Sequence, residues 1–518
     1  MNVSEFLDLT AEIVPDREAT VFEGKRRTFS EFSEHVNNVV NFLSSMEVNH
    51  GDRIAILEVN TDDHIAAFFA SSKLGAVFVP LNYRAKADEV RHMINDSEAK
   101  VLLVGPAYLD LVDSLEPDLF TVKNIVPLDR LGTSWSSSKD SSQTGIADRY
   151  TTLADDTDTS LLLFTAGTTG KPKGVLLSHE TFSSFLLTNV ESADPEIKER
   201  TALSVPLYHI AGIQAVMASI YGGRTLVIQS QFEPAQWLQL VERERVTRAT
   251  LVPTMLKMVI EHPDFRGTDL SSLDTITYGA APMPLEVIKR AIAVLPKVRF
   301  INAFGQTETG ATIAMLPPED HDLSGSPEEN KKKLRRLSSI GKPLPDVDVN
   351  IVDDSGAVLP PGQIGEIIAR GSRVMKGYWK QENATAATMH HGWLYTGDLG
   401  YVDDDGYIYL SGRAKDFIKR GGEMISPEEI EQVIYSHSAV NDAAVIGVPD
   451  PHWGEVVLAI IVVKPAVTLT ESEIIEHCRQ RLASFKKPEM VRFVKSLPRN
   501  TLGKVLKRTL REQFSQPM

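Results

Sequence analysis

Residues 165–174 read Thr-Ala-Gly-Thr-Thr-Gly-Lys-Pro-Lys-Gly, setting three glycines, three hydroxyls and two lysines directly after an apolar run. Polyphosphate needs this mixture: backbone N–H groups that approach closely where no Cβ intervenes, hydroxyl donors, and positive charge. The spacing is not that of a Walker A loop. Gly167 and Gly170 stand too close together, and Pro172 takes the place of the Ser or Thr that should follow the lysine. Taken alone, the glycines would also suit a plain flexible hairpin.

Such a loop has to be held by strands. The run 160–164 reads as the strand leading in, 175–177 as the return strand, and Ser178 as the cap of a following helix. Upstream, helix-like stretches at 29–42 and 63–74 alternate with apolar runs at 53–57 and 77–80, the signature of α/β layering. The stretch 131–145 is rich in Ser and Gly without periodicity and reads as a connector. Lys331, Lys332, Lys333, Arg335 and Arg336 form a charge run expected to be a solvated face. Beyond Ser411 the alternation restarts at 427–435, 443–448, 456–463, 471–482 and 490–494, as in a separate small α/β unit.

With 518 residues the chain exceeds one ordinary core, and about three domain-sized units are expected. A formal charge of -15 and a pI near 5.4 argue against a nucleic-acid binder, which needs a basic face. The single cysteine, Cys478, cannot pair within the chain and reads as a small, partly buried residue. Residues 1–16 are acidic and lack the basic flank and cleavage site of a signal peptide. No apolar run approaches the ~20 residues that span a bilayer, so a cytoplasmic protein without a transmembrane segment is expected. A homodimer is compatible with the sequence.

Six further motifs follow in order: Pro206-Leu207-Tyr208-His209, Tyr278-Gly279-Ala280-Ala281-Pro282, Phe304-Gly305-Gln306-Thr307-Glu308, Trp393-Leu394-Tyr395-Thr396-Gly397-Asp398, Gly412-Arg413-Ala414-Lys415-Asp416 and Pro498-Arg499-Asn500-Thr501-Leu502-Gly503-Lys504. With the loop, and over residues 28–511, the chain resembles the AMP-forming adenylating enzymes: acyl-CoA synthetases, luciferases and peptide-synthetase adenylation domains. Its overall look is most similar to bacterial-type fatty-acyl-CoA synthetases. The resemblance implies an α/β fold with a large N-terminal ATP- and acid-binding domain of layered sheets and helices, residues 1–412. A small mobile α+β C-terminal domain, residues 413–518, would follow, with a hinge near Lys415.

The resemblance also implies roles. Thr165, Gly167, Thr168, Thr169, Gly170 and Lys173 would grip the phosphates of ATP; Ala166 stands where the family usually has a hydroxyl residue. Gly279, Ala280, Ala281 and Pro282 would offer a flat backbone edge to adenine. Phe304 would stack on the ring without the hydroxyl of the family's usual tyrosine. Asn302, Gly305, Gln306 and Thr307 would complete the nucleotide site, Asp398 accepting from the ribose hydroxyls and Arg413 donating beside it. Glu308, with Thr165, would hold one Mg²⁺ that keeps waters and phosphate oxygens as its other ligands.

Lys504 would be the catalytic lysine, a point charge between the attacking carboxylate and the α-phosphate, with His209 and Glu308 as the other catalytic groups. His209, Ile210, Ala211, Gly279, Ala303 and Gly305 would line the acyl pocket. Apart from the histidine these are small or apolar, with no arginine or lysine, which favours an uncharged tail. For the second step the small domain would turn about Lys415, bringing Lys419, Arg420, Gly421 and Gly422 to a coenzyme A tunnel.

The implied reaction is ATP-dependent adenylation of a medium- or long-chain fatty acid followed by transfer to coenzyme A. An aryl or cyclic acid, or a carrier protein as acceptor, stays open as an alternative. A nucleotide-binding homologue without activity is disfavoured by the presence of Glu308, Asp398, Arg413 and Lys504 together.

Overall fold

The computed structural model describes residues 1–131, 154–165, 172–421, 423–500 and 503–514. It is an α/β structure with a large N-terminal part and a smaller C-terminal one. Two large sheets lie in the N-terminal part. The nine-stranded sheet runs, in spatial order, Lys342–Pro343, Ala311–Leu316, Arg299–Gln306, Thr275–Gly279, Arg248–Leu251, Arg200–Leu203, Thr225–Ile228, Glu18–Phe22 and Lys25–Thr28. The seven-stranded sheet runs Gly377–Tyr378, Lys173–Ser178, Thr159–Thr165, Val77–Pro80, Arg53–Leu57, Ala99–Val104 and Asn124–Pro127.

The central strands of both sheets are parallel, and in the seven-stranded sheet their inner runs are almost wholly apolar because helices cover both faces. The largest core joins the helices Phe29–Ser45, Asp62–Lys73 and Ile210–Tyr221 through Phe32, Phe68, Phe69 and Phe182. A smaller five-stranded sheet carries Trp393–Val402 and Ile408–Arg413 side by side.

The C-terminal part has its own five-stranded sheet, centred on Gly454–Val463 and Val440–Asp450, with helices Pro427–Tyr435, Glu471–Arg479 and Lys507–Phe514 around it. Ile430, Ile434, Val445, Ile461, Ile474 and Cys478 form its core. Cys478 is fully buried rather than partly so, and burial pushes its thiol up to about 11.

Local chemistry explains the boundaries near the loop. Ser178 Oγ accepts from Thr181 N at 3.3 Å and starts the helix His179–Asn189, as its sequence position suggested. The connector 131–145 falls almost wholly outside the described residues.

The basic run corrects the expectation of a merely solvated face. Lys331 and Lys332 are exposed, but Arg336 donates to Asp320 and to Asp405, each at 3.0 Å, with its guanidinium 4.3 Å over Tyr407. Arg335 lies 5.4 Å from the Tyr409 ring. The helix Pro327–Arg336 is thereby fastened to the hairpin that ends in Arg413, since guanidinium planes stack on aromatic faces as lysine cannot.

Four histidines are held neutral by burial: His64, His179 and His321 at about 4, and His209 at about 3. In the unfolded chain each would titrate near 6.5. Between about 6.5 and 4 the unfolded state therefore binds protons that the folded state refuses, and stability falls as pH falls, by at most about 1.4 kcal/mol per pH unit for each histidine. Thermal midpoints from pH 7 to 4.5 should decline steeply below 6.5; a flat profile would contradict neutral burial.

Candidate active site

Lys504 arrives from near the end of the chain and is packed against the large part. Its neighbour Gly503 has φ +74°, and a Cβ there would lie 2.5 Å from Thr254 Oγ1, on the helix Pro253–Glu261. Lys257 of the same helix donates to the Asn441 carbonyl at 2.7 Å, a second tie between the two parts. Asn500 fixes the turn: its Oδ1 accepts from Lys504 N and its own N–H donates to Lys504 O, both at 2.8 Å.

The surroundings of Lys504 are ionic. Asp398 and Arg413 are cross-strand partners, with Arg413 Nε 2.9 Å from Asp398 Oδ1, and Asp416 pairs with Arg511 at 2.8 Å. Lys415 and Lys504 stand as positive charge in excess of these two pairs. Burial first, then the Arg413 charge, pulls the Lys504 ammonium down to about 8, although Asp398 and Asp416 oppose the shift. Lys415 is lowered for the same first two reasons. Such a cluster is costly until an anion enters it.

A second cluster lies along the outgoing strand Lys173–Ser178. Thr165 pairs across the hairpin with Lys173, and Lys173 Nζ sits 5.2 Å over the ring of Tyr378. Tyr378, on a two-residue strand paired with Val175 and Leu176, donates to Glu308 Oε1 at 3.0 Å. Burial and this carboxylate push the phenol well above its ordinary value, so it stays a donor. Met375 N–H also donates to the Glu308 carbonyl, at 2.9 Å. The sequence reading passed over Tyr378. Its signal was Gly377-Tyr378-Trp379, which closes on the loop strand through Trp379 N–H to Gly174 O at 2.8 Å.

Gln306 joins the two clusters, its Nε2 donating to Thr396 O at 3.3 Å, two residues from Asp398. Thr307 opens the 3-10 turn Thr307–Thr309 that presents Glu308. Glycine is obligatory at two places. A Cβ on Gly279 would overlap the Ala303 carbonyl, and one on Gly305 the Ala311 carbonyl. Ala280 has φ +65° and is exposed with Pro282, so the backbone from Gly279 on forms an open edge. Phe304 is half-buried against Ala314 and Ile340, and Asn302 spends an amide hydrogen on Ser339 O at 3.2 Å.

His209 precedes the helix Ile210–Tyr221, its ring 4.2 Å from that of Tyr208. The expectation of no nearby arginine is corrected here: Arg84 depresses His209 further after burial has acted. Arg84 lies 5.4 Å over Tyr83, whose ring meets Tyr208 edge-on at 5.1 Å. With 124 residues between them in sequence, only the fold could bring Arg84 to His209.

Lys419, Arg420 and Gly421 lie apart from these clusters, in the small sheet. Lys419 N–H donates to Glu455, Arg420 to Glu489 and the Phe485 carbonyl, and Gly421 N–H to the Trp453 carbonyl. Gly167, Thr168, Thr169 and Gly170 of the loop, Ala166, and Gly422 lie outside the described residues. A carboxylate and a hydroxyl, Glu308 and Thr165, are hard oxygen donors of the kind that suit Mg²⁺. No helix among the described residues is long and apolar enough to cross a membrane.

The two parts correspond to two family descriptions: AMP-binding enzyme over residues 7–379, and AMP-binding enzyme C-terminal domain over 429–504. A feruloyl-CoA synthase of an Amycolatopsis species is 35% identical across 97% of both chains. A long-chain-fatty-acid–CoA ligase of Mycobacterium tuberculosis is 32% identical across 99% of both. The solved amide bond synthetase McbA of Marinactinospora thermotolerans superposes with a TM-score of 0.88 at 29% identity, covering 99% of this chain and 100% of that one. With the two family descriptions together spanning most of the chain, this protein belongs to the AMP-binding enzyme family.

Proposed function

We propose that the protein is an AMP-forming ligase that uses ATP to adenylate a carboxylic acid and passes the acyl group to the thiol of coenzyme A. The observation that carries this reading is the convergence of Lys504, from the small part, on the Asp398–Arg413 pair of the large one. In the first step a carboxylate oxygen bonds to the α-phosphorus and pyrophosphate leaves with the bonding electrons. Lys504 is placed to neutralise charge spreading over the α-phosphate oxygens, Asp398 accepts from the ribose hydroxyls, and Lys173 with the 165–174 loop holds the departing phosphates.

Mg²⁺, held by Glu308 and Thr165, would add neutralisation at the phosphates. In the second step the thiol loses its proton, sulfur bonds to the acyl carbon and AMP leaves. The small domain, taken as 413–518, would turn about Lys415 between the steps so that Lys419, Arg420, Gly421 and Gly422 face the thiol.

Tyr378 should matter through Glu308. Tyr378→Phe removes a hydrogen bond to a charged group, and the Michaelis constant for MgATP should rise roughly tenfold with that for the acid unchanged. Equal changes in both constants would count against a metal-side role.

The small and apolar pocket residues suit an uncharged tail such as that of a fatty acid, with the charge of Arg84, felt at His209, left to the carboxylate end. A second reading, an oxygen-bearing acid, is favoured by a polar pair, Gln214 on the helix that follows His209 and Thr312 opposite Gly305. Coenzyme A-dependent AMP formation across linear acids from short to long, plus benzoate and cinnamate types, tests the activity and sorts the tail. AMP formation with none of them would remove the reading.

A further inference from the structure

The helix Ile210–Tyr221 is buried on all sides but one. Ala211, Gln214, Ala215 and Ala218 alone keep partial accessibility, at the i, i+3, i+4, i+7 spacing of a single helical face. That face begins beside His209, and its other members are alanines, of which Ala215 and Ala218 pack against the large core. Gln214 is its one polar side chain.

Across from it stands Thr312, buried and paired in register with Gly305. Thr312 Oγ1 donates to Gln214 Oε1 at 3.0 Å, while Gln214 Nε2 is shielded from solvent and has no hydrogen-bond partner among the described residues. Whichever way round the carboxamide lies, Thr312 satisfies one of its two polar atoms and the other is left over. Buried polar groups are seldom left so, because each costs free energy until something pairs with it.

Resting on the ligase reading above, we infer that Gln214 is a specificity-determining residue whose free amide atom binds an oxygen on the acid itself. It lies five positions after His209, about 7.5 Å along the helix axis at 1.5 Å per residue. The preferred substrate is therefore an acid with an uncharged skeleton and a hydroxyl, ether or keto oxygen several bonds from the carboxyl. A hydroxyl fits best, since it serves either orientation of the carboxamide.

Two matched pairs test this and separate an aromatic from a linear skeleton: 4-hydroxycinnamate against cinnamate, and 8-hydroxyoctanoate against octanoate. With coenzyme A-dependent AMP formation as readout, the oxygenated member of at least one pair should win by about tenfold or more in kcat/KM. Gln214→Met, close in shape and apolar, should bring that ratio near unity while sparing the unsubstituted acid. If Gln214→Met loses all four acids, Gln214→Leu reads the same ratio.

No preference in the wild-type enzyme, or a preference that survives both substitutions, would overturn the inference. AMP formed equally well from octanoate and cinnamate as from their hydroxy forms defeats this inference and leaves the ligase reading standing. AMP formed from none of them, nor from any other acid of the linear, benzoate and cinnamate panel, defeats both.

Discussion

Lys504→Ala should lower acid-dependent pyrophosphate release by roughly 10² or more, a loss of the size seen when one preorganised donor to a developing negative charge is removed. The side chain is well placed for such an effect. It is buried beside Arg413, Asp398, Asp416 and Lys415, where a charge is worth far more than in water. Nucleotide affinity should change much less, because Arg413, Asp398 and the loop remain. The lowered value of about 8 adds a pH signature. The protonated fraction needed for neutralisation falls as pH rises through 8, so the adenylation rate of the free enzyme should fall there, well before an ordinary lysine near 10.4 would titrate. Bound ATP would push the value upward. Full pyrophosphate release by Lys504→Ala, or a kcat/KM for ATP that stays flat from pH 7 to 9.5, would remove Lys504 from the mechanism.

The second large effect is expected at Lys415, in the short turn Ala414–Asp416 that joins Arg413 to the small part. Lys415→Pro should spare adenylate formation and slow thioester formation by roughly 10² or more, because proline would fix φ near −65° in the turn proposed as the hinge. The side chain has a separate role, which a Lys415→Ala control isolates: it lends charge to the cluster, so its loss should be mild in both half-reactions. Rapid-quench assays of each half-reaction distinguish the two. Equal losses in both steps for Lys415→Pro would argue against a hinge at this residue.

Much of the site was legible in the sequence because each motif is local. Thr396-Gly397-Asp398 and Gly412-Arg413 are short runs, and the ladder that pairs Asp398 with Arg413 follows from a hairpin of adjacent strands. The strands on either side of the 165–174 loop, and the cap at Ser178, were equally local.

What escaped were contacts between distant segments. Tyr378 reaches Glu308 because Gly377–Tyr378 adds an edge strand to a sheet whose other members all lie far earlier in the chain, between Arg53 and Ser178. The charge of Arg84 reaches His209, and Thr312 meets Gln214, through tertiary packing with no trace in residue spacing. The run ending in Arg335 and Arg336 looked solvated because its docking partners, Tyr407 and Tyr409, are defined only once the hairpin forms. Charge runs and lone aromatics carry no partner in their own sequence window.

The most direct measurement follows oxygen. Carboxylate attack at the α-phosphorus leaves one carboxylate oxygen in AMP once the thiol has displaced it. An acid labelled with ¹⁸O in both carboxyl oxygens, turned over with ATP, Mg²⁺ and coenzyme A, should give AMP carrying one ¹⁸O, with unlabelled pyrophosphate and one label retained in the thioester. Label in inorganic phosphate alongside ADP, or AMP free of label, would contradict acid adenylation at this site.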